Sequence, residues 1–237
     1  MKKKDNLHAF LTIGIFVLLG ILLFNSFFVF SVGRSLNVKI DEAKELARPA
    51  ELGLIQIESS CSDCFDIDSI TNTLKESSDI KIIKEKLLPG NSKNAIKIIN
   101  QYGIEKLPVI VLTGEIEKAS IQNFKQVDDV LVFNGITPPY EDAATKKVMG
   151  KVSSIIISDN NCAVCIDLGL VLQNLKQSGV FVDKEEEFDF SGAKAKALIG
   201  NLDIEKLPAL LLSDDIEAYP DIAQSMDQAG LKKQDYY

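Results

Sequence analysis

The residues of this chain that could do chemistry are its four cysteines, which form two pairs with two residues between the members of each pair. Two cysteines at this spacing can close a disulfide, or one can attack the disulfide of another molecule while the other releases the mixed disulfide. The pattern therefore predicts dithiol–disulfide exchange. We expect Cys61 and Cys162 to be the attacking thiols, and Cys64 and Cys165 the resolving thiols.

The residues between the cysteines predict different properties for the two sites. Asp63 lies between the first pair, and its carboxylate would raise the thiol pKa by like-charge repulsion. We expect the reduction potential of the first site to lie nearer the reducing end of the known range, about −270 mV, than the strongly oxidising end, about −120 mV. Ala163 and Val164 are apolar, which predicts that the second site is the more buried one.

Composition excludes several other classes of function. The net charge of −8 disfavours binding to a phosphate backbone, so no nucleic-acid partner is expected. The only histidine is His8, which excludes a catalytic histidine or a histidine-ligated metal in the rest of the chain. A zinc shared by both pairs is disfavoured because 97 residues separate Cys64 from Cys162, against about 15–20 in zinc ribbons. We expect no cofactor besides the disulfides. The acidic run at 183–187 is expected to be a solvated strand end or loop and not a metal site.

The N-terminal segment is typical of a membrane anchor. Residues 9–32 contain no charged side chain over 24 positions, enough to cross a bilayer core of about 30 Å. A long signal peptide is the alternative. The basic tail at 1–8, with Lys2, Lys3 and Lys4, favours an N-terminus inside the cell and the bulk of the protein outside it. Residues 33–51 predict a juxtamembrane helix or stalk that stops at Pro49.

The rest of the chain repeats itself at a period of about 100 residues. The sequences IEKLPVIVLTGEIE at 104–117 and IEKLPALLLSDDIE at 204–217 are identical at eight of fourteen positions. The two cysteine motifs recur at nearly the same offset, 101 residues. A period this long indicates duplicated domains, because solenoid units are about 20–50 residues long.

Each repeat shows an alternating order of strands and helices, and residues 137–150 have the polar, turn-forming composition of a linker. The cysteine motif opens the first helix of each repeat in this interpretation, where the helix N-terminus favours a thiolate. The first repeat predicts strands at 52–59, 79–88, 108–114 and 130–135, and helices at 61–77 and 92–103. The second predicts strands at 151–159, 180–190 and 208–214, and helices at 162–179 and 191–203.

This order resembles the thioredoxin-like fold over residues 52–136 and again over 151–237. The resemblance rests on the two cysteine motifs together with Leu107-Pro108 and Leu207-Pro208, which follow the first cysteines by similar intervals. In that family the proline is cis and lies beside the dithiol, and the residue before it offers its backbone to an extended substrate. The resemblance therefore implies substrate-binding roles for Leu107, Pro108, Leu207 and Pro208.

The tandem arrangement is similar to the two-unit protein disulfide oxidoreductases of archaea and, in part, to protein disulfide isomerases. The expected fold class is α/β, with two tandem thioredoxin-like domains of mixed sheet and flanking helices after one transmembrane helix. Ser60 and Asn161 stand where the family usually has an aromatic residue before the motif. The second repeat predicts a last strand that is either missing or begins at Tyr236 and Tyr237.

Two functional hypotheses follow from the sequence. The first is a membrane-anchored thiol–disulfide oxidoreductase that acts on protein thiols or disulfides together with an unidentified redox partner. The second is a membrane-tethered module that binds extended peptides or proteins and whose cysteine pairs are structural disulfides. Keeping both cysteine pairs favours the first hypothesis, whereas the unusual residues within and before the two motifs favour the second.

Overall fold

The structure is a computed structural model that describes all residues except 1, 163, 230 and 233; within the N-terminal helix, the side chains of 2–13, 33–38, 41, 42 and 46 are not described. Ala163, which the sequence places in the second site, therefore lies outside the described residues. So do the side chains of Lys2, Lys3 and Lys4. The chain divides into two units, Met1–Pro49 and Ala50–Tyr237.

The first unit is a single helix, α1 (Lys2–Ala47), which joins the predicted membrane span to the predicted stalk. It ends two residues before Pro49, as predicted, because a proline disfavours helical geometry in the residue before it. Its segment Gly14–Val32 has a mean hydropathy of 2.5 and is exposed throughout. By length and composition this segment could cross a membrane, and a signal sequence would have the same properties.

The N-terminal half of the second unit, residues 50–136, folds in the predicted alternating order. Its elements are β1 (Ala50–Glu58), α2 (Ile67–Glu76), β2 (Ile80–Pro89), α3 (Lys93–Tyr102), β3 (Lys106–Leu107), β4 (Val109–Gly114), β5 (Phe124–Val127) and β6 (Val130–Phe133). Helix α3 begins after Ser92, whose hydroxyl accepts a hydrogen bond from the amide of Ala95, and it ends at Gly103 in the left-handed conformation.

The main sheet of this half has the strand order β2-β1-β4-β6-β5. Strand β1 is parallel to β2 and antiparallel to β4. Val109, Ile110, Val111 and Leu112 are all buried, because both faces of the sheet are covered. Strand β5 was not predicted, since it forms a hairpin with β6 around Asp128 (φ 52°) without the usual glycine of such turns.

The predicted linker, residues 137–150, is an ordered hairpin, here called the linker hairpin. It contains β7 (Tyr140–Asp142) and β8 (Val148–Met149), which pair with each other, and β7 also pairs with β3. Tyr140 packs against core residues on both sides of the hairpin, in 50–136 and in 151–237. The amide of Gly150 donates a hydrogen bond to the Asp215 carboxylate, and the Gly150 carbonyl accepts one from the Tyr219 hydroxyl. The hairpin is therefore fastened to both halves.

The C-terminal half, residues 151–237, repeats part of the arrangement of the N-terminal half. Its elements are β9 (Val152–Ser158), α4 (Leu168–Gln177), β10 (Val182–Asp189), α5 (Ala193–Asn201), β11 (Ala209–Leu212) and α6 (Pro220–Gln228). Strand β9 is parallel to β10 and antiparallel to β11. The expected last strand is represented by Tyr236, which bridges Ser213, and by Tyr237, whose backbone exchanges two hydrogen bonds with Leu212.

Candidate functional site

The first cysteine pair lies in the loop between β1 and α2, here called the first disulfide loop (residues 59–66). Cys61 and Cys64 form a disulfide, with their Cα atoms 5.5 Å apart. The prediction that the helix begins at Cys61 is wrong. Helix α2 begins at Ile67, because the Asp66 carboxylate accepts the amide hydrogen of Asp68 and caps the helix there. Cys61 therefore does not lie in the first turn of the helix.

The second cysteine pair lies in the equivalent loop between β9 and α4, the second disulfide loop (residues 159–167). Cys162 and Cys165 also form a disulfide, with the same Cα separation of 5.5 Å. Helix α4 begins at Leu168, where the Asp167 carboxylate accepts the amide hydrogen of Gly169. The prediction of a helix from 162 onward is wrong for the same reason. Both pairs thus occupy loops that precede a capped helix.

The structure brings Pro108 together with the first cysteine pair. Pro108, Cys61 and Cys64 all line one cleft of about 610 Å³. The Leu107–Pro108 peptide bond is cis, as the resemblance implied. Leu107 itself is fully buried and pairs with Glu141 of β7, so the chain's own linker hairpin lies along its backbone.

In the C-terminal half, the Leu207–Pro208 peptide bond is also cis. Both residues are half-buried. Their proposed contact with a substrate, like that of Leu107 and Pro108, stays a prediction.

Glu141 of the linker hairpin is a residue of the first site that the sequence did not identify. Only 2% of its surface is exposed. Its carboxylate accepts hydrogen bonds from the amide of Ser60 (2.7 Å), the hydroxyl of Ser60 (2.7 Å) and the hydroxyl of Ser59 (2.9 Å). The Ser59 oxygen in turn accepts the amide hydrogen of Cys61 at 3.0 Å. A chain of hydrogen bonds therefore joins Glu141 to the backbone of Cys61.

The carboxyl of Glu141 is held in its charged form. Burial alone would raise its pKa, but the hydrogen bonds from Ser60 and Ser59 and the ammonium of Lys146 outweigh this effect and lower the pKa. The Lys146 nitrogen lies 3.6 Å from the carboxylate. The first disulfide loop thus borders a buried negative charge.

Asp63 is less isolated than the sequence suggested. Its carboxylate forms an ion pair with Lys151 at 2.7 Å, and the hydrogen bond from Lys151 lowers the pKa of Asp63. The cation offsets part of the like-charge repulsion expected between Asp63 and a cysteine thiolate. In the same loop, Phe65 donates its amide hydrogen to the carbonyl of Pro139 at 2.8 Å. Residues 137–151 therefore fasten the first disulfide loop at several points.

The second disulfide loop is the more exposed of the two, so the prediction that it is the more buried site is wrong. Val164 is 94% exposed and Ile166 is 72% exposed. Cys165 is exposed, whereas Cys162 is half-buried, as are Cys61 and Cys64. Apolar residues do not bury a loop by themselves, because burial requires another segment to pack over them. The linker hairpin supplies such a segment to the first loop.

Metal binding gains no support from the part of the chain that the structure describes. In that part, no three or more histidine, cysteine, aspartate or glutamate side chains are grouped so that they could hold a metal ion.

Comparisons with known proteins show only distant likeness. No protein-family model matches the chain, and no curated protein is similar to it. The alkylhydroperoxide reductase protein AhpF of Enterococcus faecalis is 16% identical, over 73% of this chain and 88% of that one, with a TM-score of 0.24. Full-length ERdj5 is 10% identical over 74% and 27% of the two chains (TM-score 0.22). A protein disulfide oxidoreductase of Aeropyrum pernix is 13% identical over 73% and 82% (TM-score 0.20). Likeness at this level assigns neither a family nor an activity.

Proposed function

We propose that this chain is a thiol–disulfide oxidoreductase that exchanges disulfides with other proteins through its two cysteine pairs. The observation that carries the proposal is the placement of each pair as a disulfide in a short loop at the end of a strand, with its cysteines half-buried or exposed. A disulfide that closes so small a loop contributes only about 2 kcal/mol through chain entropy, against about 4.7 for a 100-residue loop. The small gain in stability therefore does not by itself account for the presence of the two disulfides.

The exchange itself needs only the cysteines. The Cys61 thiolate attacks one sulfur of a substrate disulfide, which breaks that bond, forms a mixed disulfide and releases one substrate thiolate. The Cys64 thiolate then attacks the Cys61 sulfur, which releases the second substrate thiolate and closes the Cys61–Cys64 disulfide. Two electrons and two protons pass from the dithiol to the substrate, and the reverse steps oxidise a substrate dithiol. Cys162 and Cys165 act in the same way.

A protein substrate is supported by the apolar surface around the second disulfide. Val164, Ile166 and Leu170 are 94%, 72% and 58% exposed, and they lie in or just after the second disulfide loop. Exposed apolar residues grouped around a reactive site are typical of a protein-binding surface. We infer that substrate proteins and the redox partner bind there.

The architecture that we propose is two tandem thioredoxin-like domains, residues 52–136 and 151–237, joined by 137–150. It is supported by the recurrence of one strand arrangement, in which β1 and β9 are each parallel to one neighbour and antiparallel to the other. The half-buried Leu207-Pro208 would bind the substrate backbone near the second dithiol. At the first dithiol the backbone of Leu107 pairs with Glu141 of the linker hairpin, and it would have to leave that partner before Leu107-Pro108 could bind a substrate.

We also propose that residues 9–32 anchor the protein in the cell membrane, with its bulk outside the cytoplasm. The apolar segment Gly14–Val32 and the basic start of the chain support this topology. A membrane-impermeant maleimide should label the reduced cysteines in intact cells. Labelling only after lysis would place them inside.

The alternative function, a binding module with structural disulfides, is favoured by one observation. Helices α2 and α4 begin at Ile67 and Leu168, so neither Cys61 nor Cys162 gains the thiolate stabilisation of a helix N-terminus. A binding module predicts that both disulfides resist dithiothreitol and that the protein reduces no substrate.

The proposal is tested by the reduction of insulin with dithiothreitol as electron donor, using the full chain in detergent micelles. We expect the wild type to accelerate the reaction and Cys61→Ser/Cys162→Ser to lose at least 99% of that activity, because both attacking thiolates are gone. Cys64→Ser, which keeps the first attacking thiol, should instead accumulate a mixed disulfide with insulin. Full activity in the double variant would refute the assignment.

A further inference from the structure

We propose that Glu141 is a positioning residue of the first site, which holds the loop before Cys61 and keeps the Cys61 thiol less ionised than the Cys162 thiol. This inference rests on the proposed thiol–disulfide exchange. It assigns a role in that exchange to a residue of the linker hairpin, 80 positions away from Cys61 in the sequence.

The first step of the argument is geometric. Glu141 accepts three hydrogen bonds from Ser59 and Ser60, the two residues that precede Cys61. Its own position is fixed because β7 pairs with β3, where Glu141 lies opposite Leu107. The carboxylate therefore determines the path by which the chain enters the first disulfide loop.

The second step concerns the amide hydrogen of Cys61. Backbone amides near a cysteine sulfur can stabilise a thiolate by donating hydrogen bonds to it. The amide of Cys61 instead donates to the Ser59 hydroxyl oxygen, while the Ser59 hydroxyl donates to Glu141. Glu141 thus orients the Ser59 hydroxyl so that its oxygen accepts a hydrogen bond from the Cys61 amide.

The third step concerns charge. Glu141 is 2% exposed, so its negative charge is poorly screened by water. A second negative charge on the Cys61 sulfur would repel it, and the Lys146 ammonium at 3.6 Å offsets this repulsion only in part. The charge disfavours the Cys61 thiolate, whereas the occupied amide does not distinguish the two sites, because the Cys162 amide is also occupied, by the carbonyl of Asp159. The attack by Cys61 should therefore be slow relative to the attack by Cys162.

The second disulfide loop provides the internal reference. The amide of Cys162 donates to the backbone carbonyl of Asp159, and the amide of Asn161 donates to the Asp159 carboxylate. The amide of Asn160 contacts Asp189. Asp159 and Asp189 are only half-buried, so water screens their charges better than that of Glu141.

The test is the alkylation of the fully reduced full-length chain by iodoacetamide across pH 6–10, with each cysteine followed by peptide mass spectrometry. The rate reports the thiolate fraction, and its pH profile gives the thiol pKa. Glu141→Gln should increase the rate at Cys61 at pH 7 by roughly tenfold, the effect of one unit of thiol pKa. The rate at Cys162 in the same molecules should not change.

Two further variants separate charge from folding of the hairpin. Asp142→Asn removes the neighbouring carboxylate, which caps the hairpin turn by accepting hydrogen bonds from Thr145, and it should leave the Cys61 rate unchanged. Lys146→Gln removes the compensating cation and should slow Cys61. The Lys146→Gln variant therefore tests the charge argument even if the Glu141→Gln protein does not fold. The Asp63–Lys151 ion pair stays in place in every variant. So do the charged residues that line the cleft next to Cys61, which are Glu58, Asp66, Asp68, Lys75, Glu85 and Lys86.

The outcomes distinguish the inference from the proposed function. If insulin reduction is intact but Glu141→Gln leaves Cys61 unchanged, or accelerates Cys61 and Cys162 equally, the role of Glu141 is wrong and the proposed function stands. A Lys146→Gln variant that accelerates Cys61 would also overturn the role. If neither disulfide can be reduced by dithiothreitol, the proposed function fails and the inference fails with it.

Discussion

The two disulfide loops have the same local construction but different surroundings. Each follows a buried strand, contains a disulfide of identical Cα separation and ends at an aspartate that caps the next helix. The first loop is fastened by Glu141, Pro139 and Lys151, which belong to or follow the linker hairpin. The second loop exposes Val164 and Ile166 to solvent.

This difference shows that the cysteine motif and its flanking elements do not by themselves determine the surroundings of a disulfide. Residues 137–151 cover one copy of a repeated arrangement and place a buried carboxylate and an ion pair against it. Two sites at corresponding positions of the fold can thus differ in what surrounds them. If both exchange disulfides as we propose, we expect slow exchange at the covered site and contact with protein substrates at the exposed site.

The contrast between the two sites would be contradicted most clearly if Cys61 and Cys162 contributed equally to insulin reduction. We expect Cys162→Ser to lower insulin reduction by about tenfold and Cys61→Ser by only about 10%, because the second loop is accessible and borders no buried carboxylate comparable to Glu141 among the described residues. Initial rates with the full chain at pH 7 measure both effects. Equal losses of activity, or a larger loss in Cys61→Ser, would mean that the linker hairpin over the first loop does not determine which site reacts with the substrate.

A second prediction compares the two cores at matched positions of the repeat, Leu112 and Leu212. Both are almost completely buried, but Leu112 belongs to one large cluster centred on β1 and β4, whereas the C-terminal half has two smaller clusters. Truncating a buried leucine costs about 2–5 kcal/mol, and the cost is lower where the surroundings can relax. The loss in free energy of unfolding should therefore lie near the upper end of that range for Leu112→Ala and near the lower end for Leu212→Ala.

Urea denaturation of the oxidised full chain, followed by circular dichroism, measures this difference. Because residues 50–237 form one compact unit, both variants should shift a single transition to lower urea concentration with an unchanged slope. Two separate transitions, with Leu212→Ala affecting only one, would contradict this expectation. They would show instead that the two halves unfold independently.

Much of the fold could be predicted because it depends on local signals. Ser92 and Gly103 bound α3 as expected. The two cis bonds were expected only from the resemblance to the thioredoxin-like fold, which the repeated cysteine and proline positions suggested. The starts of α2 and α4 were missed because apolar spacing continued through the loops, although Asp66 and Asp167 were ordinary N-cap signals.

The candidate site was predicted only in part. The cysteines were identified from their spacing, and Pro108 from the resemblance to the thioredoxin-like fold. Glu141 was not, because it contacts Ser59 across 82 positions of sequence. Its strand β7 is only three residues long, too short for alternation to reveal it. Contacts between distant segments decide the difference between the two sites, and no local pattern encodes them.

The smallest effect that we expect concerns the pH dependence of stability. Hydrogen bonds and Lys146 lower the pKa of Glu141 in the fold, whereas the unfolded value is about 4.3. A lowered folded pKa means that the charged carboxyl stabilises the fold fully above about pH 4.3, and that this contribution is lost as the pH falls through the folded pKa. The free energy of unfolding of the wild type should therefore exceed that of Glu141→Gln by about 1–2 kcal/mol at pH 6. The difference should disappear in acid.

Urea denaturation of the oxidised proteins between pH 3 and pH 7 measures this difference, and Asp189→Asn in the C-terminal half is the matched comparison. Hydrogen bonds from Ser191 lower the pKa of Asp189 as well, but that carboxylate faces solvent more than Glu141 does. Its replacement should therefore change stability less at every pH. A Glu141→Gln effect that is the same at pH 3 and pH 6 would show that shape, not charge, fastens the hairpin to the first disulfide loop. The contrast between the two loops would then rest on packing alone.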